Sequence, residues 1–311
     1  MREEKKLILI VPCYNEEEVV GYTAEVLLEK INSLIEKNLV SSDSGICFVN
    51  DGSRDKTPEI LDKLAETNSR VAVINLSRNF GHQYAILAGM KTVDADMIIT
   101  LDADLQDSVD SIDEMISKYH AGYEIVYGCR EKRLGDDILK KTTALVFYKI
   151  MKFLCPNLYY NHADFRLMSR KALSLFNDFN EKVVFLRGLI PNIGLKSTTV
   201  TYNRTARLKG TPKYNYARMF ELAWRGITNY SVFPLRLILI IGVLLIVLAL
   251  ITFILLSLSK AQNIPAFLVA FMSFFCGLSM LSMGILGEYI AKILFEVKGR
   301  PSFQIDNTKN I

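Results

Sequence analysis

Five short apolar runs recur along the first part of the chain, separated by segments of helical length and period. They cover residues 7–11, 46–49, 71–76, 97–101 and 125–127. Because these runs lack polar alternation, they are typical of strands buried on both faces, and helical connections between them favour a mainly parallel sheet. We therefore predict an α/β domain at residues 1–232, whose ligands bind at the carboxyl ends of the strands.

Two long uncharged stretches dominate the last third of the chain. Residues 237–256 hold a single polar side chain among 20 residues, and residues 264–287 are also uncharged. Each stretch can cross a hydrocarbon layer of ~30 Å as a helix. We predict a membrane segment at 233–290 that contains two transmembrane helices, at about 235–258 and 264–287.

Basic residues flank this predicted hairpin at its outer ends. Arg225 and Arg236 precede the first helix, Lys292 and Lys298 follow the second, and the short connecting loop carries only Lys260. The positive-inside rule predicts that the first domain and the tail at 291–311 are cytoplasmic, in a multi-pass protein of the inner or plasma membrane. The first residues also lack the apolar run of roughly 7–15 residues that a secretory signal needs.

Composition excludes several classes of protein. The 311 residues include 37 Lys and Arg against 33 Asp and Glu, and this net charge of +4 gives no reason to expect a nucleic-acid partner. A charged fraction of 23% with 10% aromatic residues excludes a disordered chain. The five cysteines form no Cys-x-x-Cys pair, so neither a disulfide scaffold nor a structural zinc site is expected.

Polar residues follow every predicted strand and should meet along one edge of the sheet. The segments are residues 12–16, 50–57, 77–81 and 102–107, with Arg130 after the fifth strand. Asp102 and Asp104 are two residues apart on an extended segment, so their carboxylates point the same way. Mg²⁺ typically takes one or two carboxylates plus substrate phosphates. Since the sequence contains neither a dinucleotide-binding glycine fingerprint nor a P-loop, we expect a nucleoside diphosphate bridged to this pair by Mg²⁺ or Mn²⁺.

Several motifs, taken in order, resemble those of family 2 glycosyltransferases with the Rossmann-like GT-A fold. They are Pro12-x-Tyr14-Asn-Glu16, Asp51-Gly-Ser-x-Asp55-x-Thr57, Arg78-Asn-Phe-Gly81 and Asp102-Ala103-Asp104-Leu-Gln106. Further matches, Ala163-Asp-Phe-Arg-Leu167 and Arg207-x-x-Gly210-x-x-Lys213-Tyr214, resemble the polyisoprenyl-phosphate glycosyltransferases, which include bactoprenol glucosyltransferases and dolichol-phosphate mannose synthases. Asn50 departs from this pattern where many relatives have Asp, and Pro212 departs where Ser is common.

The resemblance implies a role for each matched residue. The base, ribose and diphosphate of the donor would be bound by Pro12, Tyr14, Glu16, Asp51, Asp102, Ala103, Arg207 and Lys213. The metal would be held by Asp102, Asp104 and Gln106. The acceptor would be bound by Asp164, Arg166, Arg130 and Lys213. The catalytic residues would be Asp164, Asp104 and Arg130, with Arg207 and Lys213 on a loop that closes over the phosphates.

Two roles remain open for Asp164. It matches the carboxylate that the family resemblance implies as a base near the acceptor. A lipid phosphate is already an anion at neutral pH, because its second pKa is about 6. It therefore needs less help from a general base than a hydroxyl acceptor does. Asp164 could instead orient Arg166 or the acceptor loop.

Two amphipathic segments outside the predicted spans suit the membrane surface. Residues 138–155 mix lysines with large apolar side chains, and residues 214–232 are rich in aromatic residues and contain Trp224, the only tryptophan. Such mixtures favour helices in the headgroup layer, although an ordinary core helix with a basic face fits residues 138–155 as well. The apolar hairpin also exposes surface that subunits can share, so a homo-oligomer, such as a tetramer, is expected.

The leading hypothesis is an inverting glycosyltransferase that moves a sugar from UDP-glucose or UDP-N-acetylglucosamine to undecaprenyl phosphate at the cytoplasmic membrane face, for modification of cell-envelope glycans. A dolichol-phosphate-mannose type of synthase that uses GDP-mannose is an alternative. A processive polysaccharide synthase is disfavoured, because the Gln-x-x-Arg-Trp motif of those enzymes does not occur in the sequence. A membrane scaffold without catalytic activity is the alternative from another class.

Overall fold

A computed structural model describes residues 4–130, 162–203 except 180 and 182–184, scattered residues at 235–251, and 264–311. The chain divides into two compact units. The first comprises Met1–Asn215 together with Pro301–Ile311, and the second comprises Tyr216–Arg300. The sequence-based boundary at residue 232 lies near this division, and the last residues of the tail belong to the first unit.

The described part of the first unit contains one eight-stranded sheet with the strand order β7-β5-β6-β4-β1-β2-β3-β8. The strands are β1 Leu7–Cys13, β2 Gly45–Asn50, β3 Val71–Leu76, β4 Met97–Thr100, β5 Ile125–Arg130, β6 His162–Ser169, β7 Ser197–Tyr202 and β8 Ile305–Lys309. All five runs chosen from the sequence are strands, and their ends differ from the predicted ones by at most three residues.

Most neighbouring strands are parallel, as the unbroken apolar runs predicted. β1 pairs in parallel with β2 and β4, β2 with β3, and β5 with β7. Two strands run the other way: β6 lies antiparallel between β4 and β5, and β8 lies antiparallel to β3. Because β6 is reversed, its first residues lie at the same edge of the sheet as the last residues of β4 and β5. This edge carries the candidate site.

Amphipathic helices cover the sheet and close the core. They are α1 Val20–Glu36, α2 Thr57–Thr67, α3 His82–Thr92, α4 Ser111–His120, α5 Arg170–Asn177 and α6 Leu186–Leu189, the last followed by a 3₁₀ helix at Ile190–Ile193. In α1 the buried residues Val20, Ala24, Leu27, Ile31 and Leu34 recur at helical spacing. They join the sheet residues Leu9, Val11 and Phe48 in one apolar cluster.

β8 is an unexpected element, since the tail at 291–311 shows neither an apolar run nor polar alternation. Its side chains are largely exposed, as suits a strand at the edge of a sheet. Polar contacts hold it in place: Asn310 Nδ2 donates to the carbonyls of Ala65 and Val71, and Lys309 pairs with Glu66 at 3.1 Å. Side-chain hydrogen bonds, which hydrophobic patterning does not show, therefore fix this strand.

The described part of the second unit is dominated by a long helix, α7, at Ile264–Lys298. Within it, Phe274–Val297 is long and apolar enough to cross a membrane, by length and composition, and none of this segment is buried inside the structure. The helix continues past residue 287, where the uncharged stretch ends. Glu and Lys have high helix propensity, so Glu288 and Lys292 extend the helix although they end the apolar run. Half of the first predicted span lies outside the described residues, and those described between 235 and 251 are helical. The segments 138–155 and 214–232 lie outside them too.

Candidate active site

The loops after β1 and β2 are joined by side chains of the Asp-Gly-Ser motif. The amide of Asn15 donates to Ser53 Oγ at 3.0 Å, and the amide of Glu16 donates to Thr57 Oγ1 at 2.9 Å. In return, Asn15 Oδ1 accepts the amide of Arg54 at 2.9 Å. The motif residues therefore fix the backbone of the first loop, which carries Tyr14 and Glu16.

Asp51 joins the second loop to the third. Its two carboxylate oxygens accept the amides of Phe80 and Gly81 at 2.7 and 2.9 Å, and the residue is only 2% exposed. Burial raises the pKa of Asp51, against the lowering effect of these two hydrogen bonds. Gly52 follows with φ 63°, and a Cβ there would lie 2.4 Å from the carbonyl carbon of Arg78, so only glycine fits. The structure thus shows Asp51, expected at the base and ribose, supporting a loop.

Asp102 and Asp104 lie in the loop after β4, as predicted. Asp102 Oδ1 is buried and accepts no hydrogen bond from the described residues, although His82 Nε2 lies 3.4 Å away. Burial and neighbouring carboxylates raise the pKa of Asp102 to about 6, against the attraction of His82. Asp104 Oδ1 accepts the amide of Gln106 at 3.2 Å, and Leu105 between them has φ 50°, a left-handed conformation that is uncommon for leucine. The chain is therefore tightly turned at the acidic pair.

Asp164, at the start of β6, is the centre of a buried ionic cluster. Arg166 Nη2 donates to its Oδ1 at 2.6 Å, and Arg187 donates from Nε to Oδ1 at 3.2 Å and from Nη2 to Oδ2 at 3.0 Å. Burial alone would raise the pKa of Asp164, but Arg187, His82 and Arg166 hold it well below the usual carboxyl range. Asp164 is therefore a carboxylate at neutral pH and a very weak base.

The two arginines of this cluster differ in exposure. The side chain of Arg166 is fully buried and its Nη1 also donates to the Leu186 carbonyl at 3.4 Å. The side chain of Arg187, in α6, is 37% exposed. Arg166, expected to bind the acceptor, thus has no surface to offer a ligand, whereas Arg187 does.

His82 lies between the acidic pair and the ionic cluster. As the first residue of α3, it places Nε2 3.4 Å from Asp102 Oδ1 and 3.6 Å from Asp164 Oδ2. Partial desolvation opposes the charged imidazolium even though the side chain is 40% exposed, but these two carboxylates raise the pKa of His82 to about 8. Its neighbour Gln83 accepts the amide of Leu186 at 3.0 Å and so ties α3 to α6.

Arg130 reaches the same edge from the end of β5. Its Nη2 donates to Asp107 Oδ1 at 3.1 Å, and its Nε donates to the hydroxyl of Tyr202 at 3.3 Å, while that hydroxyl donates to Asp107. Burial alone would lower the pKa of Arg130, but the carboxylate of Asp107 raises it. The guanidinium is therefore charged and held in place beside the acidic loop.

The structure thus brings most of the expected residues to one edge of the sheet and adds several that sequence reasoning missed. The added residues are His82, Gln83, Asp107, Arg187 and Tyr202. Arg187 lies in an apolar segment, Phe185–Ile190, and a lone arginine there is the signal that could have pointed to a buried partner. Arg207 and Lys213 lie outside the described residues.

Comparison with known proteins agrees with this architecture. Residues 8–176 match the family described as "Glycosyl transferase family 2". The chain is 42% identical to the "Uncharacterized glycosyltransferase YkoT" of Bacillus subtilis, over 96% of this chain and 91% of that protein. It is 35% identical to the "Prophage bactoprenol glucosyl transferase homolog" of Escherichia coli, over 98% and 99% of the two chains.

A solved structure shares the fold. The "Crystal Structure of a Mycobacterial Protein" superposes with a TM-score of 0.51 at 16% sequence identity, covering 72% of this chain and 73% of that one. The mixed sheet with β6 reversed between parallel strands is the GT-A architecture expected from the motifs. The family match covers more than half of the chain, and the relatives align over nearly its full length. The chain is a member of glycosyl transferase family 2.

Proposed function

We propose that the protein transfers a sugar from a nucleotide sugar to a polyprenyl phosphate at the membrane. An oxygen of the lipid phosphate attacks the anomeric carbon of the sugar. The bond from that carbon to the diphosphate breaks, and the nucleoside diphosphate leaves with the electron pair, so that the configuration is inverted. The relatives named as bactoprenol glucosyl transferases support a bactoprenol (undecaprenyl) phosphate acceptor and a glucosyl donor. We take the donor to be a UDP-sugar from the motif resemblance.

The observation that carries this proposal is the position of His82 between two sets of charged groups. His82 Nε2 lies 3.4 Å from Oδ1 of Asp102, in the acidic loop, and 3.6 Å from Oδ2 of Asp164, in the arginine cluster. A group that binds a cation and a group that binds an anion are therefore next to each other. Transfer between two phosphate-bearing substrates needs this arrangement, because the leaving diphosphate and the attacking phosphate both approach one carbon.

The acidic loop fits a hard divalent cation. Asp102 has a buried oxygen that accepts no hydrogen bond from described residues, and Asp104 lies two residues further along the same loop. Among the described residues, no three acidic, histidine or cysteine side chains gather as a complete cage. Two carboxylates completed by substrate phosphates are what Mg²⁺ commonly uses, and Mn²⁺ has similar oxygen ligands. Held by Asp102 and Asp104, with Gln106 nearby, the ion would offset the charge of the leaving diphosphate.

Asp164 orients Arg187 in this proposal. Two arginines and the low pKa of its carboxyl make Asp164 a poor proton acceptor. A phosphate nucleophile does not need one. The guanidinium of Arg187 can donate parallel hydrogen bonds to phosphate oxygens. The carboxylate of Asp164, to which it is hydrogen-bonded, fixes the orientation of that guanidinium. The partly exposed Arg187 therefore binds the lipid phosphate, with Arg130 on the other side of the acidic loop and with Arg207 and Lys213 closing over the phosphates.

The pairing of β3 with β8 supports a double crossing of the membrane. β3 precedes the apolar region in the chain and β8 follows it, yet both lie in one sheet. An odd number of crossings would leave them on opposite faces of the bilayer. If α7 crosses once, the chain must cross once more between the two strands, and the uncharged stretch at 237–256 supplies that span. The catalytic domain at 1–232 and the tail then lie on the cytoplasmic side.

The amphipathic segments and the exposed surface of α7 suit contact with the bilayer and with other subunits. Helices at about 138–155 and 214–232 lie in the headgroup layer and bring the site to the lipid phosphate. The exposed apolar surface of α7 is available to a second copy as well as to lipid. We include a homo-oligomer, such as a tetramer, on this ground.

The direct test is turnover by the purified full chain. The protein is incubated with undecaprenyl phosphate in detergent and with UDP-glucose, UDP-N-acetylglucosamine or GDP-mannose as the donor. Each reaction contains Mg²⁺, Mn²⁺ or EDTA, and the mass of the lipid product is measured by mass spectrometry. We expect one UDP-sugar to give a singly glycosylated lipid, and EDTA to abolish its formation. Transfer from GDP-mannose alone would favour the mannose-type alternative, and no product with any donor would favour the scaffold.

Asp104→Asn should lower turnover by about 10²- to 10³-fold, because one carboxylate of the acidic pair is lost. The remaining activity should need a higher Mn²⁺ concentration. Asp110→Asn is the matched control, since Asp110 ends the same loop with a fully exposed side chain. We expect that control to match the wild type in turnover and in metal dependence. Full wild-type activity in EDTA, or equal loss in both variants, would contradict the metal assignment.

Arg187→Ala should lower kcat/KM for undecaprenyl phosphate by about 10²- to 10³-fold, because a positioned cation is removed from the reacting phosphate. Arg170→Ala is its control: Arg170 is an exposed arginine that pairs with Asp94 and Asp96 at the start of α5. Steady-state rates against lipid concentration separate the two variants. If Arg187→Ala keeps wild-type rates while Asp164→Asn loses them, Asp164 acts by itself, as a base.

The two-span topology predicts which residues a membrane-impermeant thiol reagent can reach in intact cells. With Cys276 replaced by Ser, a Ser259→Cys variant in the short loop should be labelled from outside. A Ser302→Cys variant in the tail should be labelled only after the cells are opened. Labelling of both positions from the same side would contradict a double crossing.

A further inference from the structure

Three asparagines connect the C-terminal strand to the loop after β2. Asn307 Oδ1, in β8, accepts a hydrogen bond from Asn75 Nδ2 at 2.8 Å. Asn75 Oδ1, in β3, accepts one from Asn50 Nδ2 at 2.8 Å. Asn50 Oδ1, at the end of β2, accepts the amide of Ser53 at 3.1 Å. We call these three side chains the asparagine relay.

The direction of every hydrogen bond in the relay is fixed at its inner end. The amide of Ser53 is a donor, so it must meet the oxygen of Asn50 and not its nitrogen. The nitrogen of Asn50 is then left to donate to Asn75, whose own nitrogen donates to Asn307. If any one amide were flipped, two donors or two acceptors would face each other.

Burial makes the relay costly to interrupt. Asn50 is 4% exposed and Asn75 is 9% exposed, so water cannot readily replace a partner lost between these two, whereas Asn307 lies on the exposed edge strand. A buried amide group without a partner loses its hydration without compensation. Hydrogen bonds in a chain also polarise one another, so the outermost acceptor influences the innermost bond.

The inner end of the relay reaches the loops proposed to bind the donor. Ser53, whose amide is bound by Asn50, also accepts the amide of Asn15 on its Oγ at 3.0 Å. That second bond fixes the loop that carries Tyr14 and Glu16. Each step from Asn307 to the first loop is thus a hydrogen bond to a defined atom.

We propose that Asn307 is a positioning residue for the sugar-nucleotide site, which it reaches through Asn75 and Asn50. The inference rests on the proposed function for the identity of the ligand. The C-terminal strand, which follows the apolar region in the chain, then helps to set the donor-binding loops.

Asn310, the residue directly after β8, provides a control. Its Nδ2 donates to the carbonyls of Ala65 and Val71, at the far end of β3 from the candidate site. Asn307→Ala and Asn310→Ala both remove side-chain hydrogen bonds that hold β8. Only the first removes a bond that leads to Ser53.

The test compares both variants in the full-length protein. We expect Asn307→Ala to raise the KM for UDP-glucose about three- to tenfold, with the KM for undecaprenyl phosphate unchanged. Asn310→Ala should lower the melting temperature at least as much and leave both KM values unchanged. In an Asn50→Ala background, Asn307→Ala should add no further rise in donor KM, because the relay is already broken. Equal donor KM in the two single variants would overturn the proposal.

Hydrogen exchange needs no substrate, so it tests the asparagine relay independently of the proposed function. Hydrogen exchange at the Ser53 amide should be about three- to tenfold faster in Asn307→Ala than in the wild type, and unchanged in Asn310→Ala. If the wild type fails to turn over UDP-glucose while this pattern holds, the proposed substrate is wrong and the relay stands. If Ser53 exchanges alike in all three proteins, the relay does not act on the loop.

Discussion

The candidate site depends on one buried carboxylate, that of Asp164. Arg166 is fully buried and would be an uncompensated charge without it. Removal of one member of a buried ion pair typically costs about 3–5 kcal/mol, whereas surface pairs contribute much less. Thr100 donates its hydroxyl to the backbone carbonyl of Asp164 and joins the cluster to β4, and Gln83 joins it to α3. Asp164 therefore joins β6 to β4 through its backbone and to α3 through its carboxylate, which also directs the partly exposed Arg187.

Charge is arranged unevenly along this edge of the sheet. The acidic loop after β4 concentrates carboxylates, and the pKa of Asp102 is raised to about 6 because burial and its acidic neighbours disfavour another negative charge. The adjoining cluster has the opposite excess, since two arginines share the carboxylate of Asp164. His82 lies where the two sides meet, 3.4 Å from Asp102 and 3.6 Å from Asp164. An acidic loop suits a cation and an arginine cluster suits an anion, in agreement with transfer between two phosphate-bearing groups.

Hydrophobic patterning was sufficient to find the central parallel strands but not the strands that complete the sheet. Residues 7–11 form an uninterrupted apolar run, and residues 71–76 are interrupted only by Asn75, because both faces of those strands are covered. β6 carries the buried ion pair of Asp164 and Arg166, and charged residues in a strand interrupt the apolar pattern from which a strand is predicted. β8 has one apolar residue and is held by asparagine side chains. Both strands are stabilised by particular partners far away in the sequence, and such partners leave no periodic signal.

For the candidate site as well, the sequence predicted part of the residues and not the contacts between loops. Asp102 and Asp104 follow a recognisable strand, so their place at the sheet edge follows from topology. The motif that contains Asp51 was recognisable too, but its two hydrogen bonds to Phe80 and Gly81 depend on how the second and third loops meet. Arg187 lies in a four-residue helix whose position is set by Gln83 and Arg166. Contacts of this kind emerge only when the chain is folded.

The closure of the sheet by β8 has a consequence for how the protein is made. Asn75 and Asn307 are 232 positions apart, and the region Tyr216–Arg300 is synthesised between them. Throughout that interval the outer edge of β3 presents unpaired peptide groups, the kind of surface to which other extended chains add. β8 is synthesised only after the whole apolar region, so the edge of β3 can be closed only when the chain is nearly complete. A chain that stops within the apolar region therefore keeps an open sheet edge, and such edges favour aggregation.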